Sequence, residues 1–347
     1  MGSVLHDTPQ SPKEITHRGG DDVFSHRVLS FLAFAVKVSG QPLTYRRERG
    51  LVVKTAPTAL ERASRLTCWK GGVEPRPLTG GITNQNFVVE DAGQRYFVRI
   101  GDDIPIHGVM RFNELAASRA AAAAGVSPEV VHHEPGALVM GFIEGETLDE
   151  ARVREPVTLG RIVPLIKRCH DEIPIHLRGP ALVFWVFQVI RDYAGTLRDA
   201  NSRMLGALPR LLELSGTLEH EVGPVQLIFG HNDLLAANFI DDGERLWLVD
   251  WDYAGFNSPL FDLGGLASNN QLDPDQEARV LRAYFGAPAD ATLMRRYQAM
   301  KCASLLRESM WSMVSEIHSS LDFDYVGYTD ENLARFEGAW ADFQAGA

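Results

Sequence analysis

No apolar run in this 347-residue chain reaches the roughly 20 residues of a bilayer-spanning helix, so integral membrane association is not expected. Residues 28–36 have the length of a signal-peptide core. Asp21 and Asp22 precede them and no small-residue cleavage site follows, so they are not read as a leader. Cysteine is scarce. Cys68, Cys169 and Cys302 are far apart, odd in number and form no C-x-x-C pair, which excludes a disulfide framework and a thiolate metal site. That pattern fits a reducing compartment and a cytoplasmic location. Basic residues are outnumbered, 34 Lys and Arg against 45 Asp and Glu, for a formal net charge of −11. Nucleic acids and anionic membranes need a concentrated basic surface, so neither is expected as a partner. There is no G-x-x-x-x-G-K-[ST] and hence no P-loop, no internal repeat, and no biased segment beyond the alanines at 120–124. The hydrophobic content of 45% is enough to build sizeable cores.

The informative stretch is FGHNDLLAANFIDDGERLWLVDWDYAGFNSPLFDL, from Phe229 to Leu263. It places Asp233 and Asn238 on one loop. Asp241-Asp242-Gly243 then marks a hairpin turn, and the short apolar run of Leu246 to Val249 ends at Asp250. Phosphoryl transfer needs an acceptor for a hydroxyl proton and hard oxygen ligands for Mg²⁺ bridging the phosphates. Asp233 suits the first task, and Asn238 with Asp250 the second. His231 precedes the base by two, but Asn232 stands where protein kinases have the Arg of H-R-D. Asp250-Trp251-Asp252 replaces D-F-G, so the local chemistry is not that of a protein kinase.

The upstream order agrees. Leu78 to Val89 reads strand, turn, strand, with Gly80, Gly81, Thr83, Asn84 and Asn86 in a loop able to fold N–H groups over phosphates. An ordinary hairpin has the same composition. Arg95 to Ile100 alternates as a strand carrying one cation, Arg99, and a helical run with Glu114 follows. A strand cation paired with a helix carboxylate positions nucleotide phosphates in kinase folds.

Taken together, GGITNQNFVVE, YFVRI, LVMGFIEGETL, FGHNDLLAANFI, LWLVDWDYAGFNSPLFDLGGLASNN and MWSMVSEIHSSLDFDYVGYTDENLARF resemble the choline/ethanolamine kinase family, in a bacterial branch of the aminoglycoside-phosphotransferase-like kinases. The D-x-[DE]-Y-A-G continuation and the C-terminal segment are the more specific parts. The resemblance implies an α+β, bilobal protein-kinase-like fold, with a small antiparallel-sheet N-lobe at 58–142 and a mostly helical C-lobe at 143–347. Residues 1–57, with the basic cluster YRRER, fall outside it and read as a disordered or irregular extension.

Carried over residue by residue, the resemblance makes Asp233 the catalytic base and Asn238 and Asp250 the Mg²⁺ ligands. Arg99 would contact ATP phosphates with Glu114 as its partner. Met140, Gly141, Phe142 and Ile143 would offer the linker to adenine, and Asp262 would brace the catalytic loop. Asp252, Trp311, Tyr325 and Tyr328 would line the site for an amino alcohol. Glu308 stands about where eukaryotic relatives carry a second Trp, and its carboxylate suits an amine bearing N–H groups as well as choline. Another hydroxylated amine, thiamine, a sugar or an aminoglycoside as acceptor stays open, as does a nucleotide-binding regulatory module without turnover. A monomer and a homodimer are both compatible with the sequence.

Apolar spacing predicts helices over 59–69, 156–170, 183–214 with a break at Pro209, and 276–285. It also predicts a long amphipathic helix over 291–320 carrying Trp311.

Overall fold

The computed structural model describes residues 57–78, 84–319, 321 and 323–346. The expected N-terminal extension lies outside the described residues apart from Pro57, as do Gly80, Gly81 and Thr83 of the Gly/Asn turn. The chain opens with helix α1 (Ala59–Ser64), whose Thr58 forms a capping box with Glu61. This helix is shorter than its pattern predicts. Arg65 caps it, and the Thr67 N–H turns away to donate to Glu134 at 2.7 Å.

Strands β1 (Arg76–Leu78), β2 (Gln85–Asp91) and β3 (Gln94–Ile100) follow, then helix α2 (Arg111–Ala123) and strands β4 (Val130–Glu134) and β5 (Ala137–Gly141). The five strands form one antiparallel sheet in the order β1-β2-β3-β5-β4. Ala92 and Gly93 both take positive φ, the geometry of a tight hairpin between twisted strands. Side chains alternate across the sheet. Phe87, Val89, Val98, Ile100 and Val139 pack with Ala63 and Leu66 of the α1 segment. Asn86, Phe97 and Arg99 project from the opposite face into a cleft.

The rest is mainly helical. Strand β6 (Glu146–Thr147) leads to α3 (Glu150–Arg154), α4 (Pro156–His176), α5 (Val186–Asp199) and α6 (Leu208–Val222). Pro209 does not break a helix, as its position in the pattern predicts. It sits in the first turn of α6, where a missing N–H costs nothing, and the break falls earlier, around Asn201 at φ 53°. Four short strands carry the catalytic-loop region: β7 (Ile228–Gly230), β8 (Phe239–Asp241), β9 (Leu246–Leu248) and β10 (Gly255–Asn257). β7 pairs with β10, and β6, β8 and β9 form a second small sheet.

Helices α7 (Pro259–Asn269), α8 (Pro274–Phe285), α9 (Ala291–His318) and α10 (Tyr325–Ala345) complete the fold. α9 is not the amphipathic helix its pattern suggests. It packs against α5, α6, α7 and α10 and is buried on several sides. Its inward serines find partners: Ser309 donates to Leu305 O and Ser312 to Ser309 O, both at 2.8 Å, while Ser304 pairs with Ser268 and Ser315 with His107. Gly264 lets α7 approach this helix, since a Cβ there would meet the Lys301 backbone nitrogen at 2.9 Å. No described helix is long and apolar enough to cross a membrane. Among the described residues all three cysteines are free, with Cys169 and Cys302 buried.

Candidate active site

A cavity of about 520 Å³ opens between the five-stranded sheet and the helical part. Asn84, Asn86, Phe97 and Arg99 line it from the sheet, and Met140, Gly141, Phe142 and Ile143 from the linker. Asp233, Asn238, Asp250 and Asp252 reach it from the loops between β7, β8, β9 and β10, and Glu308, Trp311 and Tyr328 from α9 and α10.

The loop that carries Asp233 is held from below. The buried carboxylate of Asp262 accepts from the N–H groups of His231 at 2.9 Å and Asn232 at 2.7 Å, and lies 2.8 Å from His170 Nε2. Burial pushes Asp262 upward in pKa, but its bond with His170 and the nearby His231 outweigh that and hold it below the ordinary value. Gly230 must be glycine here: a Cβ would sit 2.9 Å from Asn232 Oδ1 and 3.1 Å from Asp262 Oδ2. Asn232 takes φ 66°, a conformation Asn tolerates, and its amide donates to the carbonyls of Tyr253 at 2.9 Å and Gly255 at 3.2 Å. The side chain at the H-R-D Arg position thus ties β7 to the strand after Asp252.

His231 sits under the base. Its Nε2 is 2.8 Å from Val249 O, and its Nδ1 accepts the Asp233 N–H at 3.3 Å, which fixes the proton on Nε2. Trp251, at the middle of D-W-D, packs edge-on to that imidazole at 4.8 Å and donates to Ser127 Oγ at 2.8 Å. The Asn238 amide donates to Asp233 O at 2.8 Å, so its Oδ1 is the end left for a ligand. The Asp233 carboxylate accepts no hydrogen bond from another described residue. Burial raises its pKa to about 8, with Glu308, Asp250 and Asp252 adding to the rise and Arg307 opposing it.

Arg99 and Glu114 do meet. Arg99 Nη1 lies 2.7 Å from Glu114, 3.0 Å from Asp250 and 2.9 Å from Asp252. Burial alone would lower the Arg99 pKa; the three carboxylates raise it well above its ordinary value instead. Asp250, at φ 70°, is pushed up by burial but held below its ordinary value by Arg99. Asp252 is raised, because burial outweighs the pull of Arg99.

Sequence reasoning missed a second cation here. Arg111 bonds Glu114 at 2.6 Å, Asp252 at 2.8 Å and Asn84 at 2.7 Å, and Asn84 in turn donates to Asp252 at 2.8 Å. The signal available was its spacing of three residues from Glu114 on a helix. At the linker, the N–H of Gly141 donates to Glu129 O and that of Phe142 to Arg95 O. Ile143 lines the cavity, and its N–H donates to no backbone carbonyl of a described residue.

The aromatic residues divide. Trp311 lines the cavity while only 3% exposed, and its Nε1 donates to Tyr253 OH at 2.8 Å. Tyr328 lines it too and donates to Glu308 Oε1 at 2.8 Å. Tyr325 does not line it. That ring packs 6.1 Å from Trp311, and its hydroxyl pairs with Ser319 at 2.9 Å. Glu114 also stays behind the cavity wall, reaching it through Arg99 and, by way of Arg111, through Asp252 and Asn84. Tyr253 and Arg307, absent from the sequence-based set, both face the cavity.

A kinase-like cleft with this loop architecture matches one family description. The choline/ethanolamine kinase family model matches residues 76–279. The chain belongs to the choline/ethanolamine kinase family. It is 28% identical to protein LicA of Haemophilus influenzae over 211 residues, which is 59% of this chain and 61% of LicA. The chain therefore spans about three fifths of that relative's length. It is 27% identical to a probable ethanolamine kinase of Arabidopsis thaliana over 290 residues, 72% of this chain and 75% of that one. The crystal structure of a choline/ethanolamine kinase family protein from Mesorhizobium loti superposes with a TM-score of 0.66 at 30% identity, covering 81% of this chain and 92% of that one. The α+β protein-kinase-like architecture of this family member is thus the one its sequence implies.

Proposed function

We propose that this family member is an ATP-dependent kinase that phosphorylates the hydroxyl of a small amino alcohol, choline or ethanolamine, with Asp233 as base. The observation that carries the reading is the unshared carboxylate of Asp233, in one cavity with Asn238 and Asp250 and with the Trp311–Tyr328–Glu308 cluster. As the acceptor oxygen bonds to the γ-phosphorus and the bond to the β-phosphate bridge breaks, Asp233 takes the hydroxyl proton. His231 and Asp262 hold the loop so that this oxygen stays aimed, which is positioning rather than proton transfer.

The nucleotide fits the other half. Arg99 Nε is buried without a partner, a donor that a phosphate oxygen would satisfy. Met140, Phe142 and Ile143 offer an apolar slot for adenine, and Asn84 and Asn86 line the same cavity on the sheet side, where they are available to phosphates. Glu114 keeps Arg99 in place.

The donor set also fits Mg²⁺. Asn238, just before β8, and Asp250, two residues past β9, offer hard oxygen ligands, and Asp252 lines the same cavity. Mg²⁺ bound there would offset charge on the phosphates.

The test is ATP consumption by the purified chain with Mg²⁺ against choline, ethanolamine, thiamine, homoserine, sugars and an aminoglycoside. Turnover confined to choline or ethanolamine supports the reading. Turnover only with another alcohol overturns the acceptor and keeps the chemistry. ATP binding with no turnover on any of them overturns the reading in favour of a regulatory module.

A further inference from the structure

We infer that the acceptor pocket carries its own resident cation, Arg307, and that the Arg307–Glu308 pair selects amines that keep N–H groups over the quaternary ammonium of choline. The inference rests on the amino-alcohol reading above and narrows it.

Arg307 is only 4% exposed and lines the same cavity as Asp233 and Trp311. Its Cζ stands 4.3 Å from the centroid of the Tyr253 ring and 5.6 Å from that of Phe184. Its Nη1 donates to Glu308 Oε2 at 2.9 Å. The ring face of Tyr253 is therefore already covered by a guanidinium. Trp311 is similarly committed: His107 packs over it at 5.1 Å with a 32° tilt, and its Nε1 is bonded to Tyr253. Tyr328 is held by its hydroxyl bond to Glu308.

A quaternary ammonium has no donors and depends on open aromatic faces and net negative charge. Here one face of Tyr253 and one face of Trp311 are taken, and the Glu308 carboxylate already carries a counter-charge. A primary ammonium has another way to bind. Each Glu308 oxygen accepts one hydrogen bond and has a second lone pair, and Asp233 is unshared, so N–H groups find acceptors where methyl groups find none. A site built on hydrogen bonds rejects an analogue that lacks the donors more strongly than an apolar pocket rejects an extra methyl group.

The experiment is kcat/KM at saturating Mg²⁺ and ATP for ethanolamine, its N-methyl and N,N-dimethyl derivatives, choline and L-serine. The expected result is a stepwise fall with methylation. Choline should lie about tenfold or more below ethanolamine, the size of one lost charge-assisted bond. The fall should sit in the acceptor KM, with the KM for ATP unmoved. Choline at or above ethanolamine overturns the inference. So does a preference for L-serine, which would assign Arg307 to a carboxylate. Turnover of none of the five, with turnover on an unrelated alcohol, sinks the amino-alcohol reading itself.

Arg307→Met alone strands the half-buried Glu308 carboxylate and risks the fold. The Arg307→Met, Glu308→Gln pair removes both charges and should narrow the ethanolamine-to-choline ratio by about tenfold. A ratio left unchanged in a folded double variant overturns the inference.

Discussion

Replacing Asp233 with Asn exchanges one carboxylate oxygen for an amide nitrogen and preserves the volume of the side chain. The backbone of residue 233 stays anchored, because its N–H donates to His231 and its carbonyl accepts from Asn238. Only the charge and the proton affinity change. Burial lifts the pKa of this carboxyl from 3.8 to about 8. The folded state therefore binds a proton that the unfolded state has released between roughly pH 4 and pH 8, and wild-type stability is lost as pH rises through that window. At about 1.4 kcal/mol per unit, the charge costs at most about 4 kcal/mol at pH 7, and the open cleft reduces this to about 1–3. Asp233→Asn is thus expected to raise Tm by several degrees at pH 7, with the gain vanishing toward pH 4. The same variant should lose about 10²–10⁴-fold in kcat with ATP affinity nearly unchanged. Thermal unfolding at several pH values, ATP titration and steady-state turnover measure all three. A kcat within about tenfold of wild type, or a lower Tm, would refute the assignment of Asp233 as a desolvated base.

Glu114→Gln keeps the shape but removes the charge that Arg99 and Arg111 share, so the KM for ATP should rise about tenfold with a stability loss of about 1–3 kcal/mol, read by kinetics and denaturant unfolding. Asp262→Asn should cost about 2–4 kcal/mol near neutral pH, because a buried acceptor of two loop N–H groups loses its charge beside His170. Its folded pKa is held low, so the stability it lends is complete above about pH 4 and lost as pH falls below. The gap between wild type and Asp262→Asn should therefore close in acid unfolding curves. Chelation with EDTA should abolish turnover, and Asp250→Asn should raise the Mg²⁺ concentration for half-maximal rate by about tenfold or more. Unchanged metal dependence in that variant would remove Asp250 from the ligand set.

Much of the cleft was legible because its chemistry is local. Asp233, Asn238 and Asp250 lie on one loop and one hairpin, and short-range geometry brings them together almost unaided. Arg99 was legible through strand alternation, which puts it on the face opposite Val98 and Ile100. The residues that escaped notice depend on long-range packing. Arg307 sits on α9, and a helix read as amphipathic has a wet face on which an arginine raises no question. Only the packing of α5, α6, α7 and α10 around that helix turns Arg307 and Glu308 inward. Tyr325 erred the other way: its place in D-F-D-Y suggested a pocket residue, but the start of α10 directs it behind Trp311. Pro209 misled because proline both breaks helices and begins them, and the choice depends on where the preceding turn closes.

The charges around the cleft explain why the cluster is built as it is. Glu114, Asp233, Asp250, Asp252 and Glu308 bring five carboxylates against the three guanidiniums of Arg99, Arg111 and Arg307, an excess of two negative charges when all are ionised. Arg99 spends a single nitrogen on three of those carboxylates, so it offers little net attraction to a free polyphosphate. On the proposed reading, such a site would disfavour a free nucleotide and favour one that arrives with a cation. If Asp250 turns from Arg99 to a metal, the same exchange frees the guanidinium for phosphate and neutralises the carboxylate. The raised pKa of Asp233 comes first from burial, and the crowding of Glu308, Asp250 and Asp252 adds a smaller part. A cation bound at Asp250 and Asp252 would ease only that smaller part, drawing the Asp233 carboxyl back toward its ionised form as the nucleotide half fills.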